Sequence, residues 1–201
     1  MATCFTHPLF GAGAAYVVGQ SRRDIKKFML LSAVCQCLPD IDVLAYVFAI
    51  PESSALGHRG MFHSLVFAGL LALCVLRYGY RELAIGGAKW WRMYAWFFVL
   101  TGLHGVFDGM VADSLGIAYF WPFDGTRYHL TWQPFIDVPI EGPVVLEARF
   151  WFAVFVESQL FSLVLAGMFV VMRLTETWGR PQPASGLTPI QAFSADQQQS
   201  I

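Results

Sequence analysis

Two carboxylates, Asp40 and Asp42, stand one residue apart in a segment from Phe28 to Ile50 that is otherwise almost entirely apolar. This stretch, Leu38-Pro39-Asp40-Ile41-Asp42, constrains the chain more than any other. An ionised Asp at the centre of a membrane helix costs about 2.5–3.5 kcal/mol on insertion scales, so a pair of them requires compensation. Pro39 removes a backbone donor and clashes with the preceding turn, so a helix here is expected to kink or break. In an unbroken helix, residues two apart point in different directions. A break at Pro39 lets both carboxylates turn toward one point, as half of a metal site completed by other parts of the chain.

Composition supports a membrane setting. The 201 residues fit one domain. With 56% apolar and 13% charged residues, the chain lies above and well below the respective soluble norms. A mean hydropathy of +0.52 points the same way. The net charge of −1 provides no bulk basic field for nucleic acid, and none is expected as a partner. The four cysteines sit in apolar surroundings, and Cys35-Gln-Cys37 lacks CxxC spacing, so buried thiols are the reading. No basic stretch precedes the first apolar segment, and a cleavable signal peptide is not expected.

Five apolar segments follow. The first, about Pro8 to Gly19, is rich in small residues. It is short for about 30 Å of hydrocarbon at roughly 1.5 Å per residue, and reads as a partial or re-entrant helix packed closely on its neighbours. The others run Phe28 to Ile50, Met61 to Leu76, Met93 to Ala112 and Phe150 to Met172. Each is long enough to span or nearly so, and helices are the only open-chain solution in lipid. The expected fold is therefore all-α: a multi-pass helical membrane protein with four to five membrane helices around a polar metal-binding centre. One helical membrane domain covers 1–175, with a long connection at 113–149 and a Pro- and Gln-rich tail at 176–201 expected to be disordered.

Ten of the thirteen Lys and Arg residues fall in the first–second loop, the third–fourth loop and the tail. By the positive-inside rule these regions are cytoplasmic, leaving the N-terminus and the 113–149 connection outside. Under that topology the out-of-place polar groups reach a similar depth. They are His7, Asp40, Asp42, His58, His63, His104 and Asp108. His104 and Asp108, four apart, share one helix face. Imidazole with carboxylate suits zinc, with manganese or iron as alternatives, and this many ligands can hold more than one ion. Such ions turn water into a nucleophile and clamp a phosphoryl displacement. Arg59 is the natural anion contact, and Ser64, His129 and Glu157 are further candidates. Blander readings stay open: single core histidines, helix-break caps at Asp40 and Asp42, a hydrogen-bonded His104–Asp108 pair, or a proton relay in a transporter, which Glu157 fits as well.

These residues resemble a known family. Thr6-His7-Pro8 with Gly11, Leu38-Pro39-Asp40-Ile41-Asp42, the stretch from Gly57-His58-Arg59-Gly60 through His63-Ser64, Gly102-Leu103-His104 through Phe107-Asp108, and Trp121-Pro122-Phe123 are similar, in order and spacing, to the bacterial membrane-bound metal-dependent hydrolases of the YdjM-like group. Phe62 stands where that family usually has Thr before the second His, which puts activity more in question than metal binding. The family is in turn similar to the zinc-dependent phospholipase C and nuclease group. The resemblance implies a bacterial inner-membrane, zinc-dependent hydrolase acting on a phosphoester, such as a phospholipid. Its implied ligands are His7, Asp40, Asp42, His63, His104 and Asp108, with His58 as outer ligand or general acid. The alternatives are a proton- or ion-coupled transporter and a non-catalytic membrane protein with a structural metal.

Overall fold

Pro39 breaks the chain where its chemistry demands. In the computed structural model, which describes residues 5–19, 23–112, 114–138 and 147–178, helix α2 (Ile25–Cys37) passes into a 3-10 turn at Leu38–Val43 and a single α-turn, α3 (Leu44–Val47). Without an N–H, and with its ring against the preceding turn, Pro39 cannot continue the α pattern. The chain tightens instead, and Pro39, Asp40 and Asp42 are buried together. The other helices are α1 (Thr6–Gly19), α4 (Leu65–Gly79), α5 (Ala88–Asp108) and α6 (Ala148–Trp178). Among the described residues there is no β-strand; the 109–138 connection makes two isolated bridges, Val111 with Phe135 and Ile117 with Tyr128.

Small residues bring α1 against α2. A Cβ on Gly11 would lie 2.6 Å from the Ser32 carbonyl oxygen, so the two backbones are in direct contact there. An aromatic cluster of Phe10, Phe107 and Phe161, with ring centroids 4.7–5.0 Å apart, joins α1, α5 and α6 beneath the polar centre.

Helix boundaries shift from the sequence expectation where caps decide them. The third segment does not begin as a helix at Met61: Met61–His63 is a 3-10 turn and Ser64 is extended. Ser64 Oγ accepts from the Phe67 N–H at 3.1 Å, so α4 starts at Leu65. α5 starts five residues before Met93, at Ala88 after Gly87, and stops at Asp108. Ala112, expected in that helix, instead donates to the Phe135 carbonyl.

Two stretches are long and apolar enough to cross a membrane, Ile25–Val47 and Ala148–Thr175; α4, at 15 residues, is shorter. In the second, with mean hydropathy 2.0, only 11% of the apolar window is buried, so its side chains mostly face outward. α6 continues to Trp178, and the remainder of the expected tail lies outside the described residues.

Candidate metal centre

Four donors from three separate stretches converge. Asp40 comes from the 3-10 turn after α2, His63 from the turn before α4, and His104 and Asp108 from one face of α5. His104 Nε2 lies 3.1 Å from His63 Nε2 and 3.3 Å from Asp40 Oδ1. His63 Nε2 is 3.5 Å from Asp108 Oδ2 and 3.9 Å from Asp40 Oδ1. A second group, Asp40, Asp42, His58 and His63, shares two members with the first. Both groups are positioned to hold a metal ion.

The protonation of the rings follows from their outer partners. His104 Nδ1 is 2.8 Å from the Gln36 carbonyl oxygen, which only accepts, so Nδ1 carries the proton and Nε2 presents a lone pair. Asp42 Oδ2 lies 2.9 Å from His63 Nδ1, outside hydrogen-bond geometry, and its negative charge there favours the tautomer with the proton on Nδ1. His63 Nε2 then also presents a lone pair. Ligating histidines generally have this arrangement, with the far ring N–H donated to a carboxylate or carbonyl.

Two lone pairs and two carboxylates thus face one another in a site closed to solvent. Both oxygens of Asp40 and Oδ1 of Asp108 are buried without a hydrogen-bond partner. Buried, unpaired carboxylate oxygens are costly. A proton placed on the His63–His104 line satisfies those two nitrogens and leaves the carboxylate oxygens bare. A divalent cation satisfies all four donors at once, so the residues present fit one.

Asp42 organises the outer part. Its Oδ1 accepts from His58 Nδ1 at 2.6 Å, and its Oδ2 accepts from the Arg59 main-chain N–H at 3.0 Å. His58 Nε2 is left buried and without a hydrogen-bond partner. Arg59 is 2% exposed, adopts φ 61° and donates from Nε to Asp108 Oδ2 at 3.1 Å. A non-glycine residue in the left-handed region, in contact with a functional cluster, is a strained conformation held by its surroundings. Arg59 Nη2 is buried and unpartnered.

The remaining sequence candidates divide. His7 is fully buried with its ring 4.4 Å from that of His104, and its Nε2 is 3.6 Å from Asp108 Oδ1. It flanks the two donor groups without belonging to either. Glu157 accepts from Thr6 Oγ1 at 2.5 Å, tying α6 to the residue before His7, outside both groups. Ser64 caps α4 and donates to the Met61 carbonyl. His129 is exposed and lies apart from the cluster.

Sequence reading missed three supporting residues. Gln36 bonds the Leu100 carbonyl through Nε2 at 2.5 Å while its own carbonyl orients His104; an amide inside an apolar helix was the available signal. Tyr119 donates to the Gly105 carbonyl at 2.9 Å, and burial pushes its phenol up to about 12, so it stays a donor at neutral pH. Arg127 carries no local signal, because it acts on main-chain carbonyls.

No solved structure matches the chain. Over 113 residues it is 30% identical to the inner membrane protein YbcI of Escherichia coli (strain K12), a match covering 53% of this chain and 60% of that relative. The chain thus spans about three fifths of the length of that curated relative. Residues 1–179 match the family described as YdjM inner membrane protein, and the chain belongs to that family.

Proposed function

We propose that this is a metal-dependent hydrolase of the inner membrane, acting on a phosphoester such as a phospholipid. The observation that carries the reading is the convergence of Asp40, His63, His104 and Asp108, with both oxygens of Asp40 and Oδ1 of Asp108 unpartnered, beside a buried arginine with a bare Nη2. Two imidazoles and two carboxylates, with ligating atoms all within 4.8 Å of one another, suit zinc, with manganese or iron as alternatives. Such a cation supplies Lewis acidity and lowers the pKa of water at the site.

The chain's own residues do the rest. Asp42 holds the His58 ring by Nδ1, which leaves Nε2 to take or give a proton. Arg59, fixed by Asp108 through Nε, keeps Nη2 for an oxygen of an anionic substrate. A crevice of about 180 Å³ between α1 and α6, lined by Leu9, Phe10, Phe161 and Leu165 with Thr6 and Ser158, adjoins the His7 side and suits an acyl chain. In this reading α1, α4 and α5 join the two long apolar stretches in the bilayer, with the N-terminal side of the site facing outward.

The test is hydrolysis of phosphoester and phospholipid probes by detergent-purified protein, before and after chelation. Chelator-sensitive turnover restored by added zinc or manganese is expected. Proton-coupled flux in proteoliposomes with no turnover would instead support the relay, in which the His63–His104 contact carries a proton.

A further inference from the structure

Arg127 lies in the connection after α5, and the chemistry above makes no use of it. Its guanidinium makes four hydrogen bonds, all to main-chain carbonyls. Nη1 donates to His58 at 3.1 Å and Gly116 at 3.2 Å; Nη2 donates to Glu52 at 2.5 Å and Ser54 at 3.2 Å. Four of its five N–H groups are therefore spent in fixed, planar directions.

The loop they gather has its carbonyls turned inward. A Cβ on Gly57 would lie 2.4 Å from the Pro51 oxygen and 2.5 Å from the Glu52 oxygen, so only glycine fits that coil. Inward carbonyls need donors, and Arg127 supplies them for Glu52, Ser54 and His58. The same loop ends at the left-handed Arg59, whose N–H is held by Asp42 and whose carbonyl accepts from the Ala118 N–H at 3.2 Å. The 116–128 stretch thus grips the loop at both His58 and Arg59.

We propose that Arg127 is the positioning residue of the site. By collecting the carbonyls of Glu52, Ser54 and His58, it holds His58 against Asp42 and Arg59 against Asp108, and contacts neither substrate nor metal. Asp40, His104 and Asp108 sit on elements that Arg127 does not bond, and His63 lies in the Met61–His63 turn, beyond the carbonyls it collects. The turnover readout rests on the hydrolase reading; the others do not.

The experiment compares full-length wild type, Arg127→Ala and Arg127→Lys in detergent. It measures bound metal, hydrolysis of bis(p-nitrophenyl) phosphate and deuterium uptake at the amides of residues 52–60. Metal per chain is expected to stay at the wild-type level in both variants. Turnover of Arg127→Ala is expected to fall by about tenfold to hundredfold, the scale of a small misplacement, with faster uptake at 52–60. Millimolar guanidinium restores both in part, and equimolar sodium chloride restores neither. Lysine, lacking the planar fork, does not substitute. Unchanged turnover and uptake in Arg127→Ala, metal loss in step with activity, or no response to guanidinium overturns the proposal. If wild type has no turnover, the hydrolase reading fails alone, and the guanidinium-reversible uptake decides the positioning role.

Discussion

The centre has two halves, and they differ in how their polar atoms are satisfied. In the inner half, Asp40, His63, His104 and Asp108 point lone pairs and carboxylate oxygens at one another, and several have no partner. In the outer half, Asp42 accepts from His58 and from the Arg59 backbone, so its charge is met by donors already present. Buried polar groups are almost always paired. The inner half is therefore the part that asks for a cation, and the outer half is a bracket that orients rings and leaves only the donor Arg59 Nη2 and His58 Nε2 bare. What a site lacks can be as informative as what it contains.

Three substitutions sharpen this contrast. Asp108→Ala should have the largest effect, because it removes an inner donor and strands Arg59 in a buried position. Breaking one side of a buried pair costs about 3–5 kcal/mol, so both metal content and thermal stability should fall. Wild-type stability in this variant would show that Arg59 finds its partner elsewhere. Asp42→Asn keeps the shape of the outer bracket and weakens its grip on both rings. Metal affinity, measured by chelator competition, should drop by about 10–100-fold, while the folded protein survives; an unchanged affinity would separate the halves completely. Ser64→Ala should have the smallest effect. Loss of the α4 cap costs about 1 kcal/mol, visible in thermal unfolding in detergent, with full metal retention. Metal loss there would make Ser64 part of the site after all.

The sequence made some of this legible because the information is local. Four-residue spacing on a helix places His104 and Asp108 on one face, and Pro39 in an apolar run predicts the turn that buries Asp40 and Asp42. Helix starts were less legible where a cap decides them. Ser64 sits three residues inside the expected third segment, and its hydroxyl ends the 3-10 turn and begins α4. The pairing of donors was not legible at all. Asp42 reaches His58 across 16 residues, and Gln36 reaches His104 across 68. Such pairings follow from packing of whole elements, so composition could nominate His58 without saying that Asp42 orients it. For the same reason His129, chemically a good candidate, comes to rest on an exposed part of the connection. Arg127 was hidden most deeply, since its partners are carbonyls that every residue possesses.

The central claim is that the inner half holds a divalent cation. It is tested most directly by metal analysis of detergent-purified protein, wild type beside the double variant Asp40→Ala/His104→Ala. One or more zinc or manganese ions per wild-type chain, absent from the variant, is the predicted result. Metal at background level in both proteins would contradict the account.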